Sequence, residues 1–439
     1  MRILTTLLLI ISFSFQLLAQ ETFPKEEFEL RREKLFEKIG NGIGIVWGKI
    51  PESAPIKFRQ SPDLYYLTGL EDPNAILLLV GKTKRVYFFS KKIDQNDVRV
   101  NGKTAWQINN IKEEYGIDRL VTYDRFWSLL SYFGSQTTEI YIPLTSNDNV
   151  QESRGETNYK ELELLEHPIR ITPYWKDAVN YIREIFPHFE FQNINPLLDE
   201  LRTIKTSYEI EQLKISGKIG AEGVLEAIKG TNPGMFEYEL EAIATYFYTK
   251  RGARGNAFAP IVASGTNTYI IHYRKNNKKI QKEDFVLMDS GCDYNYYTSD
   301  VTRVWPASGK FSPYEEKMYL CILEARNTII SSLKPGVTLN QLKAISKEVY
   351  NKHGYENPEL SWNNYIGHYV GISVHDVGPY DNDTPLLSGM VFNVEPILDD
   401  PELKIHMRLE DTILITENGA INLTASVPAE LDEIYELMK

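Results

Sequence analysis

Cysteine is almost missing from this chain: Cys292 and Cys321 are the only two in 439 residues. A single candidate pair is not a disulfide framework. Cys292 follows Gly291 in what reads as a turn, and both are expected to be free thiols. Positive charge is also in deficit. Lys and Arg number 48 against 60 Asp and Glu, a net charge of −12. That balance argues against nucleic-acid binding and against an anionic membrane surface. There is no excess of apolar residues. With 42% hydrophobic and 25% charged residues, the composition excludes both a disordered chain and a membrane bundle. What remains is a globular chain long enough for two domains.

The first twenty residues differ from the rest. Met1-Arg2 makes a short positive start, and Ile3 to Leu18 is apolar, softened by Thr and Ser. Leu17-Leu18-Ala19 then forms a small-residue site before the polar Gln20-Glu21-Thr22. This is the pattern of a secretory signal peptide, short for a membrane span and without a strong flanking anchor. No cysteine lies near the cleavage point, so lipid attachment there is excluded. Removal of 1–20 is expected, with export to the periplasm or medium and no membrane association afterwards. The remainder would carry 47 basic and 60 acidic residues, −13 net.

Residues 21–200 read as an α/β domain. Ile43–Trp47, Ala75–Val80, Arg85–Phe89 and Glu139–Leu144 are short strand-like runs, and Lys25–Ile39 is an amphipathic helix. The polar stretch 146–157 reads as a surface loop. Near residue 206 the organisation changes. Thr206 and Glu209 make a capping box ahead of a long helical pattern through Ile210, Leu213, Val224 and Ile228. The domain boundary is placed at 195–206, with a second domain over 206–439.

That second domain contains an internal repeat. Pro233-Gly234 opens a segment ending at Lys250-Arg251-Gly252, and Pro335-Gly336 opens one ending at Lys352-His353-Gly354, offset by 102. Leu240/Leu342, Ala242/Ala344, Ile243/Ile345 and Tyr248/Tyr350 match in the same register. A long helix precedes each copy; the second starts at Ser312-Pro313, with Glu315 completing a capping box. Two similar α+β halves predict a pseudo-two-fold domain with a site at the seam.

Acids and histidines concentrate in strand-like surroundings. Asp289 ends the run Phe285-Val-Leu-Met, and Asp300 lies in Tyr297-Thr-Ser-Asp-Val-Thr-Arg303. Glu395 closes Met390-Val-Phe-Asn-Val, and Glu410 lies in Met407-Arg408-Leu-Glu-Asp-Thr412. Alternation puts Thr298, Asp300, Thr302 and Val304 on one face, and Arg408, Glu410 and Thr412 on another. His368 and His375 sit among apolar residues, and His272 lies upstream. Four carboxylates in a low-dielectric core would repel one another and take up protons. Two divalent cations remove that penalty. Oxygen-rich ligands with one imidazole suit manganese, with zinc or cobalt as alternatives. Such a pair can share a hydroxide and polarise a carbonyl. One acid pair comes from each half of the repeat. His167, His188, His353 and His406 lie in polar or helix-end stretches and read as structural or exposed.

At these residues the chain resembles the pita-bread metallopeptidases, in particular the aminopeptidase P and prolidase branch. Phe258-Ala-Pro-Ile-Val-Ala-Ser-Gly265 with Asn267 and His272-Tyr273 is similar to the family's substrate-side motif. Asp289-Ser-Gly, Ser299-Asp300-Val-Thr-Arg303 and Gly309-Lys-Phe-Ser312 follow the paired-aspartate pattern. His368 to His375-Asp376-Val-Gly, Val394-Glu395-Pro396 and Arg408-Leu-Glu410-Asp411 complete it, and Phe58 to Gly69 resembles the creatinase-like first domain.

The resemblance implies an α+β pita-bread domain preceded by an α/β creatinase-like domain. It also implies a metallo-aminopeptidase cleaving peptides with proline at the second position, and a homo-oligomer. Asp289 would bind one metal and His368 with Glu395 the other, bridged by Asp300 and Glu410. Glu395 would shuttle the proton. His272 and His375 would orient substrate and steady the oxyanion, and Arg408 would stand beside the metals and aid proline-side recognition.

Two departures touch the pocket. Asn364 and Tyr365 stand where the family commonly has His-Gly, and Ile397 replaces a glycine after Glu395-Pro396. The rival readings are a prolidase restricted to dipeptides and a pita-bread binding protein without activity. A creatinase would lack the metal ligands, and methionine aminopeptidases lack the large first domain.

Overall fold

The computed structural model describes residues 24–51, 57–166, 168, 172–355 and 365–439. The expected signal peptide, His167 and Asn364 lie outside the described residues.

The first half is built on a six-stranded mixed sheet. Its strands run in the order Arg119–Val121, Arg85–Phe89, Ile76–Val80, Ile43–Trp47, Glu139–Ile142, Glu190–Asn193. The three inner strands 43–47, 76–80 and 85–89 pair antiparallel, and the flanking ones parallel. The two outermost strands escaped the sequence reading. They are short and carry Arg119, Glu190, Gln192 and Asn193, because an edge strand has little to bury.

The polar stretch 146–157 is not a free loop. Ser146, Asp148 and Arg154 are buried, and a helix, Arg154–Glu166, starts inside it. The Ser153 backbone N–H donates to the Glu156 carboxylate at 2.8 Å, and Glu156 N–H donates back to Ser153 Oγ at 3.3 Å. This reciprocal cap was present in the sequence as Ser-Arg-Gly-Glu.

The second half follows the expected repeat. Helices Glu237–Lys250 and Leu339–Lys352, fourteen residues each, are offset by 102. The glycine before each helix, Gly234 and Gly336, has φ of +96° and +91°, a conformation that favours glycine in both copies. Helices Ser207–Gly230 and Pro313–Ser332 precede them, each opened by the expected capping box, Thr206/Glu209 and Ser312/Glu315. Behind lies an antiparallel sheet in the order Val391–Val394, Glu410–Thr416, Val301–Pro306, Phe285–Ser290, Ile261–Ser264, with Gly419–Asn422 on the 410–416 strand.

Cys292 lies in a short strand, Cys292–Tyr294, rather than in a turn. Both cysteines are buried free thiols, and burial pushes both up to about 12. His406 is structural, as expected, but it lies in a strand, Ile405–Arg408, rather than a polar or helix-end stretch, buried with Nδ1 2.6 Å from Asp399.

The two halves share apolar core. Leu35, Leu64 and Leu79 from the first belong to one buried cluster with Leu213, Tyr297 and Val370 from the second. The segment around Phe58–Gly69 is part of this junction. Arg59 Nε donates to Asp293 at 2.7 Å, and Tyr65 stacks on Tyr296 with centroids 3.4 Å apart.

Candidate active site

Strand register brings the acids together. Thr302 pairs with Asp289 on one side and with Glu410 on the other. Asp289, Thr302 and Glu410 therefore form a row across three neighbouring strands, with side chains on one face. Asp300, two residues before Thr302, shares that face and lies just ahead of the strand Val301–Pro306. Glu395 follows the strand Val391–Val394, whose Val394 pairs with Asp411. The expected single strand through Arg408 and Glu410 is instead two strands broken at Leu409. The two side chains still converge, with Arg408 Nε 4.0 Å from Glu410 Oε2.

Asp300, His368 and Glu410 offer ligand atoms that lie within 4.8 Å of one another. His368 Nε2 is 3.5 Å from Asp300 Oδ2 and 3.8 Å from Glu410 Oε1. Asp289 and Glu395 join through Arg408, whose Nη2 is 2.6 Å from Asp289 Oδ2 and Nη1 2.9 Å from Glu395 Oε1. All five candidate ligands and Arg408 thus meet in one buried cluster.

The backbone holding these groups is tight. Asn393 N–H donates to His368 O at 2.7 Å, and Glu395 N–H to Ile366 O at 2.9 Å. A Cβ on Gly367, whose φ is +133°, would stand 1.6 Å from Asn393 O. A Cβ on Gly291 would stand 1.7 Å from Ser299 O. Only glycine permits these two approaches, which bring His368 and Asp300 to their places.

The electrostatics call for positive charge. Burial pushes Asp300 well above the usual carboxylate range, and the Glu410 and Asp289 charges push it further. Asp289 is raised by burial against the pull of Arg408. Glu395 is raised by burial and by Glu410, although the Tyr365 hydroxyl donates to it. Burial would lower His368, but its hydrogen bonds with Asp300 and Glu410 raise it well above normal. Among the described residues, Asp289 Oδ1 and Asp300 Oδ1 are buried and meet no hydrogen-bond partner. A buried carboxylate oxygen with no donor is costly unless a cation meets it. The set therefore fits a pair of divalent metal ions, as hard oxygen donors with one imidazole should.

A cavity of about 480 Å³ opens beside the cluster, lined by Asp289, Asp300, His272 and His375. His272 lies in an exposed turn after the strand Ile261–Ser264, held low by burial of its ring and by Arg408. The His375 ring lies 4.1 Å from that of His368, centroid to centroid. Burial and the His368 charge lower it.

The opposite wall comes from the first half of the chain, through Gln151, Glu152, Glu156 and Tyr159. Sequence reading missed this wall. It also missed three groups that steady the acids. Thr302 Oγ1 and Asn393 Nδ2 each donate to Glu410, and Tyr365 donates to Glu395. The Ser153–Glu156 spacing was the one local signal that could have found part of it.

Residues 211–417 match the model of metallopeptidase family M24, and residues 28–141 match that of the aminopeptidase P N-terminal domain. A Xaa-Pro aminopeptidase of Haemophilus influenzae is 31% identical, the match covering 94% of this chain and 97% of that protein. A Xaa-Pro dipeptidase of Pyrococcus furiosus is 36% identical over a shorter stretch, 54% of this chain and 67% of that one. Among solved structures, zinc-substituted aminopeptidase P of Escherichia coli in complex with product superposes with a TM-score of 0.80 at 27% identity. That match covers 95% of this chain and 98% of the other.

Proposed function

The chain belongs to metallopeptidase family M24, and from that premise we propose that it removes the residue preceding a proline at a peptide's free N-terminus. It is a metallo-aminopeptidase that uses divalent metal ions, related over 94% of its length to a Xaa-Pro aminopeptidase. The proposed ligands are Asp289, Asp300, His368, Glu395 and Glu410, with Mn²⁺ as the metal and Zn²⁺ or Co²⁺ as substitutes. The observation that carries this reading is the convergence of Asp300, His368 and Glu410 within 4.8 Å, with Asp289 and Glu395 joined to them through Arg408.

When bound, such a metal pair acidifies water and polarises the scissile carbonyl. The side chains supply the rest. Glu395 takes the proton released by the attacking water and returns it to the proline nitrogen. A tertiary amide nitrogen has no proton of its own, so it can leave only once one is delivered. Arg408 orients Glu395 and Asp289 at once. His272 and His375 line the cavity, where they can orient the substrate and steady negative charge on its carbonyl oxygen.

Residues 1–20 are proposed as a signal peptide, giving an exported enzyme without membrane attachment. The two domains are proposed to span 21–200 and 206–439. A homo-oligomer is proposed as the working form, and no nucleic-acid partner is expected of so acidic a chain.

The test is a substrate-length series on metal-depleted protein. Arg-Pro-Pro and longer Xaa-Pro peptides should be cleaved after Mn²⁺ is restored, and faster than Xaa-Pro dipeptides. Cleavage of dipeptides alone would make the enzyme a prolidase. A protein that binds no divalent metal and cleaves neither would be a binding module.

A further inference from the structure

The Glu156 carboxylate serves two parts of the molecule. Its Oε2 accepts from Ser153 N–H at 2.8 Å and Ser153 Oγ at 2.9 Å, which closes the cap of the helix Arg154–Glu166. Its Oε1 is 2.8 Å from His375 Nδ1, a residue 219 positions away that also lines the cavity. One oxygen is thus held by the helix start while the other meets the imidazole.

The backbone around His375 is held from the same direction. Val374 N–H donates to Val150 O at 2.7 Å and His375 N–H to Gln151 O at 3.3 Å. Asp376 is bound by Arg202 and by Lys205, the latter at 2.9 Å. With the main chain anchored on both sides, the orientation and tautomer of the ring are what is left to decide. An imidazole facing an acceptor-only carboxylate carries its proton on the facing nitrogen.

We propose that Glu156 is a positioning residue for peptide hydrolysis. It holds His375 in the Nδ1-protonated form, so that Nε2 is the nitrogen presented to substrate. The proposal rests on the reading of His375 as a substrate-facing group. It adds that a group of the first domain sets which nitrogen the catalytic domain offers. The Ser153 backbone N–H, which holds Oε2 at 2.8 Å, is enough to aim the carboxylate.

Glu156→Gln separates the two roles. A glutamine can still cap, with its oxygen accepting from Ser153. Its amide NH₂ then faces His375 Nδ1 and demands the opposite tautomer. Imidazole ¹⁵N shifts of histidine-labelled, zinc-loaded protein, assigned with His375→Asn, should show Nδ1–H in the wild type and Nε2–H in Glu156→Gln. Both Glu156→Gln and Glu156→Ala should lower kcat/KM on Xaa-Pro peptides roughly 10- to 100-fold, the usual effect of losing a partner that orients a site histidine. Metal content should be unchanged. Ser153→Ala removes the capping hydroxyl but keeps the carboxylate, and should leave the tautomer and kcat/KM near wild type.

Nε2–H in the wild type, or a tautomer indifferent to both Glu156 variants, overturns the proposal. So does a Ser153→Ala loss as large as that of Glu156→Gln. The shift measurement needs no turnover. A wild type that cleaves no Xaa-Pro peptide but shows the Nδ1–H form would sink the peptidase reading and leave the Glu156–His375 coupling standing.

Discussion

Tyr248 and Tyr350, 102 residues apart, are the same residue of two copies, and each is hydrogen-bonded within two residues of an acid of the site. Both are fully buried. The Tyr248 hydroxyl lies 2.8 Å from Ser290 Oγ, next to Asp289. The Tyr350 hydroxyl donates to Ile397 O at 2.9 Å, two residues past Glu395. The pseudo-symmetry therefore reaches beyond the helices. Each half supplies a helix and a tyrosine that braces the segment beside an acid.

Removing either hydroxyl should test this. Tyr248→Phe and Tyr350→Phe keep the ring volume and lose one buried hydrogen bond, worth about 1 kcal/mol. Denaturant unfolding of the metal-free protein should register that loss for both variants. Mn²⁺ affinity should fall with it, by roughly 10-fold, because the segment beside the ligand is less well held. An affinity unchanged in both variants would mean the tyrosines support the fold alone.

Asp300→Asn should have opposite effects with and without metal. Without metal, the variant removes one of several crowded carboxylates, a charge that burial and its neighbours already disfavour. It should melt no lower than wild type. With metal, the wild type gains stability by mass action, about 2.7 kcal/mol at a hundredfold excess over Kd, and the variant should gain far less. Turnover should fall by more than the roughly 100-fold seen for groups that merely orient a ligand. Calorimetric scans of both proteins, with and without Mn²⁺, would show crossing curves. Parallel curves would remove Asp300 from the ligand set.

The junction of the halves should set the acid limit of stability. Asp148 is fully buried among Arg202, Arg154 and Ser373. Burial alone would raise it, but Arg202 and Arg154 hold it far below the usual carboxylate range. Asp376 is lowered in the same way by Lys205 and Arg202.

A carboxylate depressed in the folded state contributes stability above its ordinary value near ~3.9, and loses it as pH falls toward the depressed value. Asp199 runs the other way. Burial raises it to about 6 despite Arg154, so its ionisation costs stability as pH rises from ~4 to 6, and the cost stays in full above that. Thermal scans should show stability dropping steeply below pH ~4. Asp148→Asn should flatten that drop. Near neutral pH it should cost about 3–5 kcal/mol, because two buried guanidinium groups lose a partner.

Legibility in the sequence followed the range of the interaction. Local grammar was readable. Ser312 and Glu315 are three residues apart, and the cap they form is the one expected. The acids stood out because Asp300 and Glu410 are carboxylates set among apolar, strand-like neighbours, and the repeat predicted a site at the seam where they meet. Relations across the chain were not readable. Nothing near Glu156 points to His375, and nothing near Asp399 points to His406. Strands 119–121 and 190–193 were lost because edge positions relax the apolar pattern that strand recognition needs. The 146–157 stretch looked like a loop because its buried groups are charged, and burial of Asp148 and Arg154 depends on partners up to 225 residues away.

Gly367 offers the sharpest test of the site's geometry. Its φ of +133° is already unfavourable for any side chain, and an added Cβ would meet Asn393 O at 1.6 Å. The obstacle is backbone in the strand Val391–Val394, so it cannot swing aside as a side chain would. The 367–368 peptide must move instead, and His368 with it. That motion would break the 2.7 Å bond from Asn393 N–H to His368 O and pull the imidazole away from Asp300 and Glu410.

Gly309 is the control, with φ of +93° and nothing within 4 Å of its would-be Cβ. Gly309→Ala should cost about 1–3 kcal/mol of backbone strain and keep full metal content and turnover. Gly367→Ala should exceed that cost and lose both. A metal-replete, active Gly367→Ala would mean that His368 is not held where its contacts with Asp300 and Glu410 put it.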